Sequence, residues 1–243
     1  RQIQITPGTG NFICGNCVRE NALAHALRNL GNDVVMVPLY LPMFTDEPNA
    51  SEGVPLFLGG INMYLQQKSS IFRHTPRWLD SLMDHPGLLR WAADHAHMTR
   101  AHDLGTLTVS LLKGRKGVLR KEIDRCVHWI SESFQPDIIC LANALLIGLA
   151  EPLKKQLGVP VVINLQGEDS YLDSLPSPWK DEAWGITSEC VKHVDAMIAV
   201  SRTHADIMQT GLSAEPNKIH VIYNLSLIHI SEPTRPRLMS YAV

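Results

Sequence analysis

The sequence lacks a long apolar run, an excess of either charge and a disulfide framework. Its longest largely apolar stretch, residues 138–150, is interrupted by Asn143 and Gly148 and is shorter than the roughly 18 residues that a membrane span needs. The formal net charge of −2 argues against a nucleic-acid-binding surface spread over the whole domain. The five cysteines are odd in number and scattered, which favours a reducing, cytoplasmic compartment.

Several signatures of catalysis are also missing. No pair of histidines has the His-Glu-x-x-His spacing of a zinc protease, and no Gly-x-Ser-x-Gly follows a strand as in a serine hydrolase. Cys14 and Cys17 form a Cys-x-x-Cys, but no second Cys-x-x-Cys accompanies it to complete a four-cysteine zinc site. A redox role at a helix start remains an alternative to simple loop packing for these two cysteines.

What the chain does contain is a regular alternation of short apolar strands and helices. Strands are predicted over residues 3–6, 33–39, 137–142, 161–165, 196–200 and 219–223, and helices over 17–30, 118–134, 145–157, 179–194 and 204–212. Near-continuous apolar strands separated by helices are typical of parallel sheets. We therefore predict an α/β fold, a Rossmann-like parallel sheet flanked by helices, with a helical and irregular insertion at about 42–134 between the second and third main strands. The loops that start at Pro7, Asn143, Gln166 and Ser201 should then share one rim of the sheet.

The first of these loops, residues 7–17, reads Pro-Gly-Thr-Gly-Asn-Phe-Ile-Cys-Gly-Asn-Cys. Glycines at 8, 10 and 15 allow the backbone to approach an anionic or sugar ligand closely, and a helix N-terminus follows. Ile13 stands where the dinucleotide fingerprint has its third glycine, and Asn16-Cys17 replaces the Lys-Ser/Thr of a phosphate-binding P-loop. The alternative is a tight strand-to-helix turn without a ligand.

Two further polar segments are candidate ligand contacts. Residues 166–170, Gln-Gly-Glu-Asp-Ser, directly follow a predicted strand, and their amide and carboxylates suit hydrogen bonding to sugar hydroxyls. The alternatives are a polar cap before a helix, or a metal site for which no other hard oxygen ligands are evident. Residues 113–117, Lys-Gly-Arg-Lys-Gly, form a short basic loop that is either a solvated turn or a contact for anionic lipid or phosphate.

The last nineteen residues, 225–243, stand apart from the rest. From residue 225 the chain reads Leu-Ser-Leu-Ile-His-Ile-Ser-Glu-Pro-Thr-Arg, which resembles translated sequencing-adapter DNA. We therefore expect residues 225–243 to be a non-native, disordered tail, residues 1–224 to form the domain, and the natural protein to continue past Asn224. The alternative is a natural proline-containing tail.

Taken together, the motifs of residues 1–224 resemble glycosyltransferase family 4, specifically the N-terminal half of a GT-B enzyme. The likeness covers most of residues 1–224 and is carried by residues 8–41, 58–67, 165–169, 199–202 and 218–224. Many members have a histidine near the start of the loop after residue 165, whereas this chain has Gln166-Gly167. That departure weakens any transfer of a histidine's role to this chain.

The resemblance implies a two-domain hexosyltransferase that moves a sugar from a nucleotide-sugar to a carbohydrate, lipid or small-molecule acceptor, with retention and without a metal or other cofactor. The N-terminal half binds the acceptor, and a C-terminal donor-binding domain, absent from this chain, completes the cleft; alone, the fragment should be inactive. The expected location is cytoplasmic, as the cysteines indicate, with peripheral contact at the inner face of a membrane. Asp169 is the candidate catalytic residue, and the implied substrate-binding residues are Gly8, Gly10, Gly15, Asn62, Tyr64, Gln166, Gly167, Glu168, Asp169, Ser201 and Arg202.

Two other functions remain open from the sequence. One is a stand-alone Rossmann-like binding or regulatory domain that uses the loop at residues 7–17. The other is an NAD-dependent oxidoreductase, which Ile13 disfavours.

Overall fold

A computed structural model of the chain describes residues 1–8, 15–43, 48–58 and 101–224. Among the residues singled out above, Gly10, Cys14, Asn62 and Tyr64 lie outside these ranges, as does the tail at 225–243. Everything stated below about the structure concerns the described residues.

Six parallel strands form a single sheet. They are β1 (Gln2–Thr6), β2 (Val34–Pro38), β3 (Ile138–Leu141), β4 (Val161–Leu165), β5 (Ala196–Ala199) and β6 (Ile219–Val221), and their spatial order is β2-β1-β3-β4-β5-β6. The chain runs outward from β1 to β2 and then crosses to the other side of β1 to form β3. This reversal is a topological switch point, where ligands of doubly wound sheets bind beside the carboxyl ends of the strands.

Seven α-helices flank the sheet in the described residues. They are α1 (Gly15–Asn29), α2 (Ala101–Leu112), α3 (Arg120–Ser133), α4 (Ala150–Leu157), α5 (Glu168–Ser174), α6 (Trp179–Cys190) and α7 (Arg202–Leu212). Short 3-10 helices include Gly114–Lys116 and Ala144–Leu149. Helices α2 and α3 lie between β2 and β3, which confirms the Rossmann-like fold class with helical structure inserted at that point. None of the described helices combines the length and the apolar character needed to cross a bilayer.

The two faces of the sheet are covered unequally. Alternate strand residues such as Ile3 and Ile5 belong to a large core that includes side chains of α2 through α7. A smaller core lies on the opposite face, between α1 and β2, and includes Cys17 and Met36. In the described structure, α1 is the helix that covers this second face of the sheet. Strand β1 directs polar residues toward α1, and Gln4 is buried beneath it.

Local sequence signals explain several helix ends. Gly158 follows α4 with φ of 69°, and its N–H donates to the carbonyl of Lys154, as in a left-handed C-terminal cap. The Ser201 side chain caps α7 by accepting the N–H of His204. In α3 the buried residues Ile123, Val127 and Ile130 follow helical spacing and fix the face that packs on the core.

Candidate functional site

The loops after β3 and β4 are joined at the carboxyl edge of the sheet. The side-chain nitrogen of Gln166 donates to the carbonyl of Ala142 at 3.1 Å. The N–H of Ala144 in turn donates to Oε1 of Glu168 at 2.8 Å. The structure therefore confirms that these loops share one rim, as the strand pattern predicted.

A buried carboxylate, Glu20 of α1, lies beneath this rim. Its Oε1 accepts hydrogen bonds from Asn164 Nδ2 at 3.1 Å and from Gln166 Nε2 at 3.0 Å. The same oxygen accepts from an Arg19 guanidinium nitrogen at 2.6 Å, and Oε2 accepts from the side-chain amide of Gln4. Glu20 thus links α1, β1 and β4 through one fully buried side chain. Sequence reasoning did not single it out.

The charge of Glu20 is supported by its partners against the effect of burial. Burial raises the pKa of the Glu20 carboxyl above its ordinary value, while the hydrogen bond from Gln4 and the charge of Arg19 oppose the shift. All the described groups that hydrogen-bond to its side-chain oxygens are donors. An ionised carboxylate, which only accepts hydrogen bonds, therefore matches all of them. Removing this acceptor would leave the Asn164 amide without its carboxylate partner and would reduce the Gln4 and Gln166 amides to their backbone acceptors, the carbonyls of Glu20 and Ala142.

The orientation of Gln166 follows from the same contacts. Its Nε2 donates both to Glu20 and to the carbonyl of Ala142, so its amide nitrogen is directed into the protein. No other described residue bonds to the Oε1 of Gln166, and the side chain is half-buried. Among the described residues, the Gln166 carbonyl oxygen is therefore unbonded and can accept a hydrogen bond from a ligand hydroxyl.

The two neighbouring carboxylates differ in their surroundings. Glu168 is buried, and its two oxygens accept the backbone N–H groups of Ala144 and Gln166 at 2.8 and 2.7 Å. Asp169 is more exposed, and its Oδ1 lies 3.6 Å from Nδ1 of His204. Glu168 consequently holds the loops after β3 and β4 together from the buried side, whereas Asp169 is the carboxylate more accessible to a ligand.

His204 is the other site residue that sequence reasoning missed. Its Nε2 accepts the N–H of Gly167 at 3.1 Å when the ring is neutral, whereas a protonated Nε2 would instead face Oε2 of Glu168 at 3.7 Å. Its backbone N–H donates to Ser201 Oγ at 3.1 Å. These contacts bring the loop after β5 against the loop after β4. The available signal was its position in the first turn of a helix that follows a rim strand. The carboxylates of Glu168 and then Asp169 raise the pKa of His204, while burial opposes them.

This shift predicts a pH-dependent contribution to stability. Because the pKa of His204 is raised in the folded protein, protonation favours folding: the contribution is present below the ordinary pKa of 6.5 and is lost as the pH rises through the folded value. We expect wild type to lose more stability than His204→Gln between about pH 5.5 and about pH 8, the range in which histidine titrates. Urea unfolding at both pH values measures this, and parallel losses in the two proteins would contradict it.

The other predicted site residues that the structure describes lie around the same edge. Gly8 follows β1 with φ of 92°, and Gly15 is the exposed first residue of α1. Ser201 caps α7, and Arg202 begins that helix with an exposed side chain. In the described parts of the chain, no group of three or more His, Cys, Asp or Glu side chains is arranged to hold a metal ion.

The fold and this edge define a Rossmann-like α/β domain with a polar rim at the carboxyl ends of its strands. A family profile described as "Glycosyl transferase 4-like domain" matches residues 18–224. The chain therefore belongs to the glycosyl transferase 4-like family, and its domain is a glycosyltransferase domain. The matched range includes most of α1, strands β2 through β6 and the rim loops after β3, β4 and β5. A search of curated proteins found no match to this chain.

Proposed function

We propose that this domain binds the acceptor in the transfer of a sugar from a nucleotide-sugar, with retention of anomeric configuration. Membership of the glycosyltransferase family supports the reaction class. The observation that carries the assignment of the acceptor site is Gln166, whose amide nitrogen is bound inside the protein and whose carbonyl oxygen accepts no hydrogen bond from the described residues. Next to it, Asp169 adds a second acceptor of hydrogen bonds.

The chemistry assigns distinct tasks to these side chains. In the transfer, the acceptor oxygen bonds to the anomeric carbon while the bond to the nucleotide's phosphate oxygen breaks, and the nucleotide leaves with the electron pair. The hydroxyl proton passes to the phosphate oxygen of the departing nucleotide. Gln166 and Asp169 would hold acceptor hydroxyls at the rim, with Asp169 as the candidate to orient the attacking one. Gly8 and Gly15 would allow the backbone near α1 to approach the substrates.

The donor side is part of the same proposal. A C-terminal domain would supply most contacts to the nucleotide-sugar, so residues 1–224 alone would be inactive. No metal or other cofactor would be required, and the acceptor would be a carbohydrate, a lipid or a small molecule. The proposed location is cytoplasmic, with peripheral contact at the inner face of a membrane.

Binding of simple saccharides tests the acceptor assignment. We expect a panel of methyl hexopyranosides to include a ligand detected by saturation-transfer NMR, with Gln166→Ala and Asp169→Ala each weakening it about tenfold through loss of a hydrogen bond. Asp206→Ala is the matched control, because Asp206 is exposed on α7, away from these contacts.

The competing functions give different results in the same assay. Binding of NADH without any response to saccharides or nucleotide-sugars would favour an oxidoreductase. Saccharide binding that is equally strong in the Gln166 and Asp169 variants would remove these residues from the site.

A further inference from the structure

A second, separate feature is a concentration of positive charge between residues 113 and 125. The chain as a whole carries a net charge of −2. Within this segment, however, stand six of its 22 lysines and arginines, namely Lys113, Arg115, Lys116, Arg120, Lys121 and Arg125. The sugar-binding role proposed above uses none of them.

The fold gathers these cations around a surface cavity. A cavity of about 640 Å³ lies between the end of α2, the 3-10 helix Gly114–Lys116 and the start of α3. We call it the basic groove; its charged lining residues are Lys113, Lys116, Arg120, Lys121 and Asp124. A neighbouring cavity of about 370 Å³ shares the last two of these and adds Arg115, Arg125 and His128.

Close backbone packing specifies the shape of the basic loop. Gly114 is buried with φ of 55°, and a Cβ there would lie 2.2 Å from the carbonyl oxygen of Gly148. A Cβ on Gly117 would lie 2.3 Å from the carbonyl oxygen of Ser110. Both positions therefore require glycine, and the loop that bears the cations is anchored at two points. A site held in this way loses less conformational freedom when it binds a ligand.

The acidic side chains of the groove do not cancel its positive charge. Asp124 pairs with Arg115 and, at 3.5 Å, with Arg120. Lys113 pairs with Glu182 at 2.7 Å. Lys116 is exposed and has no ion pair within the described structure.

The start of α3 adds to this positive potential. The helix is 14 residues long, and no side chain caps its N-terminus at Leu119. The positive end of its dipole, beside Arg120 and Lys121, therefore adjoins the groove. Glu122, the acid of the first turn, is buried and pairs with Arg125.

We propose that the basic groove binds a phosphate-bearing anion, of the phosphomonoester or pyrophosphate class. Lysine and arginine bind phosphate oxygens through charge-assisted hydrogen bonds, and the cavity is larger than one phosphate requires. A soluble phosphate compound and the headgroup of an acidic lipid share this chemistry. The loop that bears these cations packs on Gly148 through Gly114, and Gly148 belongs to the 3-10 helix Ala144–Leu149, whose first residue contacts Glu168 at the sugar rim.

Two binding measurements on the whole chain test the proposal. Isothermal titration with inorganic pyrophosphate examines soluble ligands, and flotation with phosphatidylcholine vesicles, with and without phosphatidic acid, examines lipid headgroups. The variant Lys116→Glu/Arg120→Glu should weaken binding about tenfold or more, because two charge-assisted contacts are lost. The control, Lys155→Glu/Lys180→Glu, makes the same change in net charge outside both cavities. Its affinity for pyrophosphate or the vesicles should stay within about twofold of that of wild type, since surface charges away from a binding site contribute little.

Each result has a defined meaning. Binding of pyrophosphate, or of vesicles only when they contain phosphatidic acid, supports the proposal and identifies the source of the phosphate. Absence of both, or equal weakening in the two double variants, overturns it. Thermal unfolding checks the fold of the variants, in which Lys116, Arg120 and Lys155 are exposed and Lys180 is half-buried. Gln166→Ala should bind pyrophosphate as wild type does, so failure of the sugar-site proposal leaves this test intact.

Discussion

Replacement of Gly8 by alanine is expected to lower the free energy of unfolding by about 3 kcal/mol or more, because strain and steric overlap combine at this position. Gly8 has φ of 92°, a conformation that L side chains rarely adopt, and a Cβ there would lie 1.8 Å from the backbone carbonyl oxygen of Leu41. The contact cannot relax easily, since the N–H groups of Tyr40 and Leu41 both donate to the carbonyl of Pro7. Urea unfolding followed by circular dichroism measures the loss.

Gly31→Ala is the control that separates strain from overlap. Gly31 has a similar φ of 86°, but nothing lies within 4 Å of the Cβ it would acquire. Its substitution should therefore cost only about 1 kcal/mol, the penalty of the left-handed backbone alone. Equal losses in the two variants would show that the chain after β2 does not approach the end of β1 as closely as described.

The arrangement of the sheet could be predicted because most of its strands are short, largely apolar runs between helices. A strand of this kind is a short apolar run with no alternation, and residues 161–165 show the pattern so clearly that the predicted strand and β4 coincide. Glycine marked the end of α4 equally well, since Gly158 adopts the left-handed conformation that favours it. Local sequence and fold agree at these points.

Local sequence signals did not predict the backbone conformation where tertiary contacts determine it. The segment predicted as one helix over 145–157 begins as the 3-10 helix Ala144–Leu149 and continues as α4. Helix α5 was not predicted, because it has only seven residues and starts after Gly167 with φ of 93°. Both begin at the rim, where Glu168 accepts the N–H groups of Ala144 and Gln166. The first of those bonds joins two loops that lie 24 positions apart in the sequence.

The same distinction holds for the candidate site. Gln166 and Asp169 could be recognised because polar residues directly after a buried strand lie at the ligand-binding edge of a parallel sheet. Glu20 gave no such signal, since a single acidic residue in an amphipathic helix ordinarily faces solvent. Its partner Asn164 is 144 positions away in the chain, so only the assembled fold brings the two together. Polar networks of this kind are found by asking which buried donors share an acceptor.

Substitution of Glu20 by alanine should destabilise the domain by about 3 kcal/mol or more, because buried donors would lose their common acceptor. The amides of Gln4 and Asn164 are buried and would have no water to replace the carboxylate. Gln166 would lose one of the two bonds that direct its nitrogen inward. Equilibrium unfolding in urea measures the change, and stability equal to that of wild type would contradict the network.

Glu20→Gln separates the stability of this network from its proposed role at the rim. The amide removes a buried charge, which offsets part of the loss, so the free energy of unfolding should fall by only about 1 kcal/mol. One carboxylate oxygen becomes an NH₂ group, however, and it would face the donors of Arg19, Asn164 and Gln166 or that of Gln4. Gln166 should then turn, and affinity for saccharides should fall about tenfold, as in Gln166→Ala. A variant that loses stability but keeps full saccharide affinity would show that Glu20 supports the fold without orienting Gln166.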